Sequence, residues 1–279
     1  MEIQSCYRCK TRITAGENIL KMLNKYRKSS SAKTVVVMLL VCCFLLSCKR
    51  LSNDPLANWE AITVEPAENA VILQQAAESP CVWKVGIDAR THHFKIETTA
   101  NVLPKQGKEV RLQIGAGTLV GTNGGEYGGG LSLVDSDGTS AKSLLTENVI
   151  QLLPLNSGAL VFTGILHLGE DKGAVWSYSK AGDHDWSIKK LADLDGSPRA
   201  IYSGDREVLA VTGHGVSQIG QTLNLTKIAS LPFAQTLPNS ISEDAQKRIY
   251  IGMNGLVVRL TQTKAGYKHE WFTKSGCLR

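Results

Sequence analysis

The chain has 279 residues, 43% of them hydrophobic and 20% charged, which excludes a disordered protein and leaves room for one large domain or two modest ones. Its net charge of +6 sits at one end: residues 1–47 hold eight basic residues (Arg8, Lys10, Arg12, Lys21, Lys25, Arg27, Lys28, Lys33) against Glu2 and Glu17, and the remainder carries 23 basic and 23 acidic residues. A folded part with no net charge exerts no general pull on phosphate backbones, so nucleic acid is not expected as a partner.

From Thr34 to Ser47 the chain runs for 14 residues without a charge, behind Lys25, Arg27, Lys28 and Lys33 and ahead of Cys48, Lys49 and Arg50. A bilayer-spanning helix wants about 20 apolar residues, whereas shorter stretches behind a basic segment read as signal-peptide cores. Residues 1–47 are therefore expected to be a leader. Residues 1–21 fit it poorly, because Glu2, Glu17 and the Cys6/Cys9 pair would precede the export element; reading from Met22 gives an ordinary leader of 26 residues, and the first 21 read as an overlong gene start. No second cysteine pair follows Cys6/Cys9 at zinc-site distance, so no metal is assigned to them.

The end of this segment, Leu45-Leu46-Ser47-Cys48, resembles the lipobox of bacterial lipoproteins. Leu45 and small Ser47 fit the pattern, and Leu46 is bulkier than the residue usual there; Cys42 and Cys43 have neighbours that fit worse. The resemblance implies cleavage before Cys48, a lipid on its thiol and anchorage in the membrane of a bacterial envelope. An uncleaved signal anchor is the other reading. Residues 48–58 would then form a tether, and Lys49 behind the lipidated cysteine gives a mild preference for outer-membrane sorting, facing the periplasm.

Of 26 glycines only Gly16 lies in the leader, and the apolar residues beyond it come in short runs with no sustained helical period. Five such runs begin at Val71, Leu119, Leu160, Val208 and Ile249, spaced 48, 41, 48 and 41 residues apart. Around each the order of four short strands can be read: in the third unit Val149–Leu153, Ala159–Thr163, Ala174–Tyr178 and Trp186–Ile188; in the last Ser240–Ser242, Arg248–Gly252, Leu256–Leu260 and Tyr267–Phe272. Asn254-Gly255, between two strand-like runs, is a strong hairpin signal.

A period of 40–50 residues holding four strands resembles the broad β-propeller superfamily, in which small sheets pack face to face around an axis. The expected fold is all-β, a β-propeller-like domain over 59–279 with about five four-stranded blades divided near 105, 147, 195 and 235. A propeller brings its chain ends together, and an exported compartment permits disulfides. Cys81 and Cys277, near the two ends, are expected to be bonded and to fasten the ring by about 4–5 kcal/mol of chain entropy; two free thiols are the other reading.

The most unusual segment is Gly121-Thr122-Asn123-Gly124-Gly125-Glu126-Tyr127-Gly128-Gly129-Gly130. It lacks the Lys-Ser/Thr of a phosphate loop and runs into a strand, so it is expected to carry Glu126 and Tyr127 on an exposed loop at one mouth of the ring; a plain flexible hairpin is the bland reading. Gly115-Ala116-Gly117 fails as a dinucleotide fingerprint, because the third glycine falls one residue late and no helix follows. The acidic turns at 135–138, 183–185 and 193–196 read as turn chemistry in preference to calcium loops. The six histidines follow no common blade phase, and His214, between two glycines, is the exposed candidate. No nucleophile elbow accompanies it. The tryptophans are expected to pack the blades. No catalytic residue, cofactor or metal is assigned.

These readings converge on a cell-envelope lipoprotein whose domain is a binding or scaffold module for an envelope protein or a cell-wall component. The alternatives are a periplasmic propeller-type hydrolase or lyase acting on a sugar or lactone, and an inhibitor or immunity lipoprotein.

Overall fold

Short apolar runs become strands here because both of their faces are covered. The computed structural model describes residues 54–278 except 64, 65, 67, 68, 92, 100–107, 116, 182–184 and 234. The expected leader, Cys6/Cys9, Cys48 as the expected lipidation site, His92 and His184 lie outside the described residues.

Strand β1 (Glu60–Ile62) is followed by helix α1 (Ala70–Ala77) and a two-stranded sheet I, β2 (Trp83–Ile87) and β3 (Phe94–Thr98). Three four-stranded antiparallel meanders follow. Sheet II holds β4 (Lys108–Ile114), β5 (Gly117–Asn123), β6 (Gly129–Val134) and β7 (Ala141–Leu145). Sheet III holds β8 (Val149–Leu155), β9 (Gly158–His167), β10 (Glu170–Ala181) and β11 (Asp185–Leu194). Sheet IV holds β12 (Ala200–Ser203), β13 (Glu207–Thr212), β14 (Gly215–Gly220) and β15 (Leu225–Ser230). Sheet V holds β16 (Ser240–Glu243), β17 (Ile249–Gly252), β18 (Val257–Thr263) and β19 (Gly266–Thr273), with β1 added outside β19. The fold is all-β and propeller-like, with five sheets.

The apolar runs at Leu119, Leu160, Val208 and Ile249 are the second strands of sheets II to V. In β9 six consecutive residues are buried, and they divide by parity: Ala159 and Val161 join the core against sheet II, while Leu160 and Phe162 join the core against sheet IV. That division is the period of two expected for a strand packed on both faces. The pattern repeats around the molecule. In β13 Leu209 and Val211 face sheet V while Ala210 faces sheet III; in β17 Ile249 and Ile251 face sheet IV while Tyr250 meets Phe94 of sheet I, ring centroids 4.4 Å apart. Sheets II, III and IV also share one irregularity, a register shift between third and fourth strands just after buried Leu131, Val175 and Val216. One bulged unit is thus used three times.

The first unit departs from the expected four strands. Val71-Ile72-Leu73 lies in α1, because Asn69 caps it: its Oδ1 accepts from the Val71 and Ile72 amides at 3.1 and 3.4 Å. Three apolar residues cannot distinguish strand from helix by period, and the cap decides. The strand ahead of the helix joins the opposite end of the chain, where Glu60 to Ile62 pair with Thr273 to Trp271. Cys81 and Cys277 form a disulfide beside this junction, Cα atoms 5.5 Å apart, and the Gly255 amide donates to the Cys81 carbonyl at 2.7 Å.

Candidate functional site

In a meander, alternate turns fall at opposite ends of the sheet. The turns between second and third strands therefore share an end with the connections from one sheet to the next, and that end collects the unusual residues.

The Gly-rich segment is the second turn of sheet II, and it is held firmly. Asn123 Oδ1 accepts from the Gly125 amide at 3.0 Å, a 3-10 turn covers Gly125–Tyr127, and the Gly124 amide donates to the Gly128 carbonyl at 2.7 Å. Gly125 and Gly128 adopt φ of 63° and 84°, in the region that glycine enters without strain. A Cβ on Gly129 would stand 2.5 Å from Asn148 Oδ1 and 2.9 Å from Asn148 Cα, so this glycine admits the Asn148 side chain. Buried Asn148, from the connection into sheet III, then donates Nδ2 to the Gly125 carbonyl at 2.7 Å and accepts from the Gly124 amide at 3.1 Å. These bonds pin the loop to the connection into sheet III.

Its side chains point to different tasks. Glu126 Oε2 lies 2.7 Å from His167 Nε2, on the equivalent turn of sheet III, while Tyr127 is 86% exposed. Leu166 and Leu168, on either side of His167, are 52% and 93% exposed. Apolar side chains thus stand out from two adjacent turns around one acid–histidine pair.

Beneath Glu126 is a cleft of about 320 Å³. Glu147, Thr163, Lys172, Lys190 and Asp193 line it with backbone of Gly164 and Gly173. Thr163 Oγ1 donates to Glu147 at 2.6 Å and accepts from Trp176 Nε1 at 3.2 Å, which fixes that carboxylate. Lys190 pairs with Asp193, and Lys172 pairs with Glu170 at 2.8 Å, a bond that raises the Lys172 pKa. Charged groups of both signs thus line the cleft.

A second hollow of about 190 Å³ shares Gly125, Asn148, Gly164 and Ile165 with the first and continues to Ile150, Leu166, Pro198 and Arg199. Gly164 and Gly173, partners across β9 and β10, allow it: Cβ atoms there would lie 2.7 and 2.9 Å from Pro198 Cδ, so glycine lets residues 196–198 lie close on the sheet.

His214 occupies the equivalent turn of sheet IV. Its Nε2 lies 3.5 Å from Asp171 Oδ2, whose other oxygen accepts from the Ser197 amide at 2.6 Å, and Arg199 Nη2 approaches Asp171 to 3.7 Å. Next to it, Asp195 is held below the usual carboxylate range, first by the Lys227 hydrogen bond at 2.5 Å and further by the charges of Lys227 and His214. His214 lines neither hollow; it reaches them through Asp171 and Arg199.

His167 and His214 thus share one blade position, against the expectation that the histidines follow no common phase. The signal was present: His214 lies 47 residues after His167, one fewer than the 48 that separate Leu160 from Val208. Asn148, Leu168 and Arg199 carried no such mark. The acidic turns at 135–138 and 193–196 are occupied internally, by Thr139 on Asp137 and by Lys190 and Lys227 on Asp193 and Asp195. Among the described residues no cluster of three His, Cys, Asp or Glu is placed to hold a metal. The opposite end of the molecule has a hollow of about 490 Å³ lined by residues 154–156, 203–208 and 219–221, Glu207 among them.

No protein-family model and no curated protein matches the chain. Among solved structures, a streptogramin B lyase is similar at 17% identity and a TM-score of 0.39, over 62% of this chain and 56% of that one. A virginiamycin B lyase from Staphylococcus aureus is similar at 12% identity and a TM-score of 0.38, over 77% of this chain and 74% of that one. The chain thus spans little more than half the length of the first of these structures.

Proposed function

We propose that the chain is a cell-envelope lipoprotein, anchored through lipid on Cys48, whose propeller-like domain is a binding module for an envelope protein or cell-wall component. The observation that carries this reading is the pair of adjacent turns at one end: a pinned glycine loop presents Tyr127, and the next hairpin presents Leu166 and Leu168, beside a cleft lined by charged groups of both signs. Exposed apolar side chains on rigid supports, beside polar groups, suit recognition. The leader and the lipobox-like Cys48 support the compartment.

Intact mass of the membrane-extracted protein tests the anchor: a diacylglyceryl adduct on an N-terminal Cys48 supports it, and an uncleaved leader overturns it. The binding face is tested by photo-crosslinking from position 127 in intact envelopes, with Glu126→Ala/Tyr127→Ala as comparison. A discrete adduct that the double variant weakens supports the face; unchanged adducts overturn it.

A second reading has its own observation. Glu126 lies 2.7 Å from His167 and Asp171 3.5 Å from His214, so two imidazoles stand beside carboxylates at the same end, a combination that serves general acid–base chemistry in a hydrolase or lyase. Turnover of sugar esters or lactones that is lost in His167→Gln would favour it.

A further inference from the structure

We propose that the outer edge of sheet I is a dimer interface, on which β3 pairs antiparallel with β3 of a second copy of this chain. The inference stands apart from the binding-module reading, because it uses another part of the molecule and requires nothing of the turns around Tyr127.

Sheets II to IV hold four strands each and sheet V five, whereas sheet I holds β2 and β3 alone. Its pairing leaves one row of backbone groups open. The Asp88 amide donates to the His93 carbonyl and the Thr99 amide to the Val82 carbonyl, both at 2.9 Å, so Lys95 and Glu97, between these bonds, turn their backbone groups toward β2. Those of Phe94, Ile96 and Thr98 point the other way, and no strand or loop among the described residues bonds to them. An unpaired edge of this kind is a template for another strand.

Register and charge select the occupant. Antiparallel pairing through this edge sets Phe94, Ile96 and Thr98 of one copy opposite the same residues of the other, which leaves three registers with two or more hydrogen-bonded pairs. Centred on Ile96, Phe94 lies opposite Thr98 and Ile96 opposite Ile96, so every open amide and carbonyl of the row is used. Lys95 then stands opposite Glu97 twice, in the closer, non-hydrogen-bonded positions. Centred on Lys95 the pairing sets Lys95 against Lys95, and centred on Glu97 it sets Glu97 against Glu97, both unfavourable. The two side chains remain accessible, 41% and 45% exposed, 2.9 Å from each other and with Asp88 3.7 Å from the lysine. The segment Phe94-Lys95-Ile96-Glu97-Thr98 is therefore its own complement, as a two-fold interface requires. The joined sheet, β2-β3-β3-β2, reaches the four strands of sheets II to IV.

The test is sedimentation equilibrium of the full chain in detergent, up to about 200 μM, with hydrogen exchange across the same range. A dimer with a Kd of about 10–100 μM is expected, since five residues a side make a small interface, and exchange at Phe94, Ile96 and Thr98 should slow as concentration rises. Lys95→Glu and Glu97→Lys, each of which sets like charges opposite one another, are expected to weaken the dimer about tenfold or more. Lys95→Glu/Glu97→Lys restores opposite charges and should return the Kd to within about threefold of the parent. Melting curves establish that the three variants are folded. A chain that stays monomeric, a dimer that neither single reversal weakens, or one that the double reversal fails to restore overturns the interface. Amides of the three edge residues that are protected equally at every concentration would mean that the chain covers its own edge, and this overturns it too. Crosslinking from position 127 is unaffected by any of these results and tests the binding face separately.

Discussion

Asn148 holds together two parts of the chain that are more than twenty residues apart, Gly124 and Gly125 on one side and its own connection into sheet III on the other. Replacing it with Ala leaves the half-buried Gly125 carbonyl without its partner and the Gly124 amide with the Gly128 carbonyl alone, at a cost of about 1 kcal/mol. Asn148→Ala is expected to lower the denaturation midpoint accordingly and to speed hydrogen exchange at Gly124 more than in the sheets. At the far end, Glu207 makes the opposite kind of contribution. Its carboxyl is held above the ordinary 4.5, first by burial and then by the hydrogen-bonded Glu243 carboxyl and its charge, against the lowering effects of Gln218 and Lys247. The folded chain therefore keeps a proton that the unfolded chain releases. Stability from this group is full below pH 4.5 and is lost as pH rises through the folded value. Glu207→Gln keeps the hydrogen-bonding shape and removes the charge, so it should melt higher than the parent at pH 8 and together with it at pH 4. A variant that melts lower at pH 8 would contradict this account.

At the scale of elements, the β9–β10 hairpin is informative because its turn is built against local preference. Leu168 has φ of 45° and Gly169 has φ of 86°, a two-residue turn for which Asn-Gly is the favoured pair. A leucine in the left-handed region costs about 1 kcal/mol or more relative to residues that visit it readily, and at 93% exposure it recovers nothing by burial. Leu168→Asn is expected to stabilise the free protein by about 1 kcal/mol. The same change should weaken the crosslink formed from position 127, because the side chain removed belongs to the proposed contact face. A rise in stability with unaltered crosslinking would show the leucine to be incidental. The strands themselves were legible: the runs at Leu119, Leu160, Val208 and Ile249 are four second strands, since a strand covered on both faces must be apolar at every position. Val71-Ile72-Leu73 misled for the same reason, as a run so short carries no period, and only the cap at Asn69 marks it as helix.

For the whole molecule, the chain's distant parts are joined by the β1–β19 pairing, by the Cys81–Cys277 bond across 196 residues and by sheet I lying on sheet V, where Phe94 meets Tyr250 and Val82 bridges Asn254. A loop of that length restricts the unfolded chain by about 5 kcal/mol, an upper figure when the unfolded state keeps some structure. Cys81→Ser/Cys277→Ser should lose several kcal/mol in urea denaturation, with the largest rise in hydrogen exchange in β1, β2 and β19. An unaltered midpoint would mean that the strand pairing and the contacts of sheet I with sheet V close the molecule without the bond.

The sequence by itself determined the all-β class, the repeat of about 40–50 residues and the places of four sheets, because a strand covered on both faces is written as a run of consecutive apolar residues. It also singled out the Gly-rich turn with Glu126 and Tyr127, since only glycine tolerates such backbone. Tertiary structure decided the rest: that β1 completes sheet V, that Glu126 meets His167, and that Asp171 lies among Ser197, Arg199 and His214. These groups come from different sheets, and their distances follow from how sheets pack face to face, which no local pattern of residues specifies.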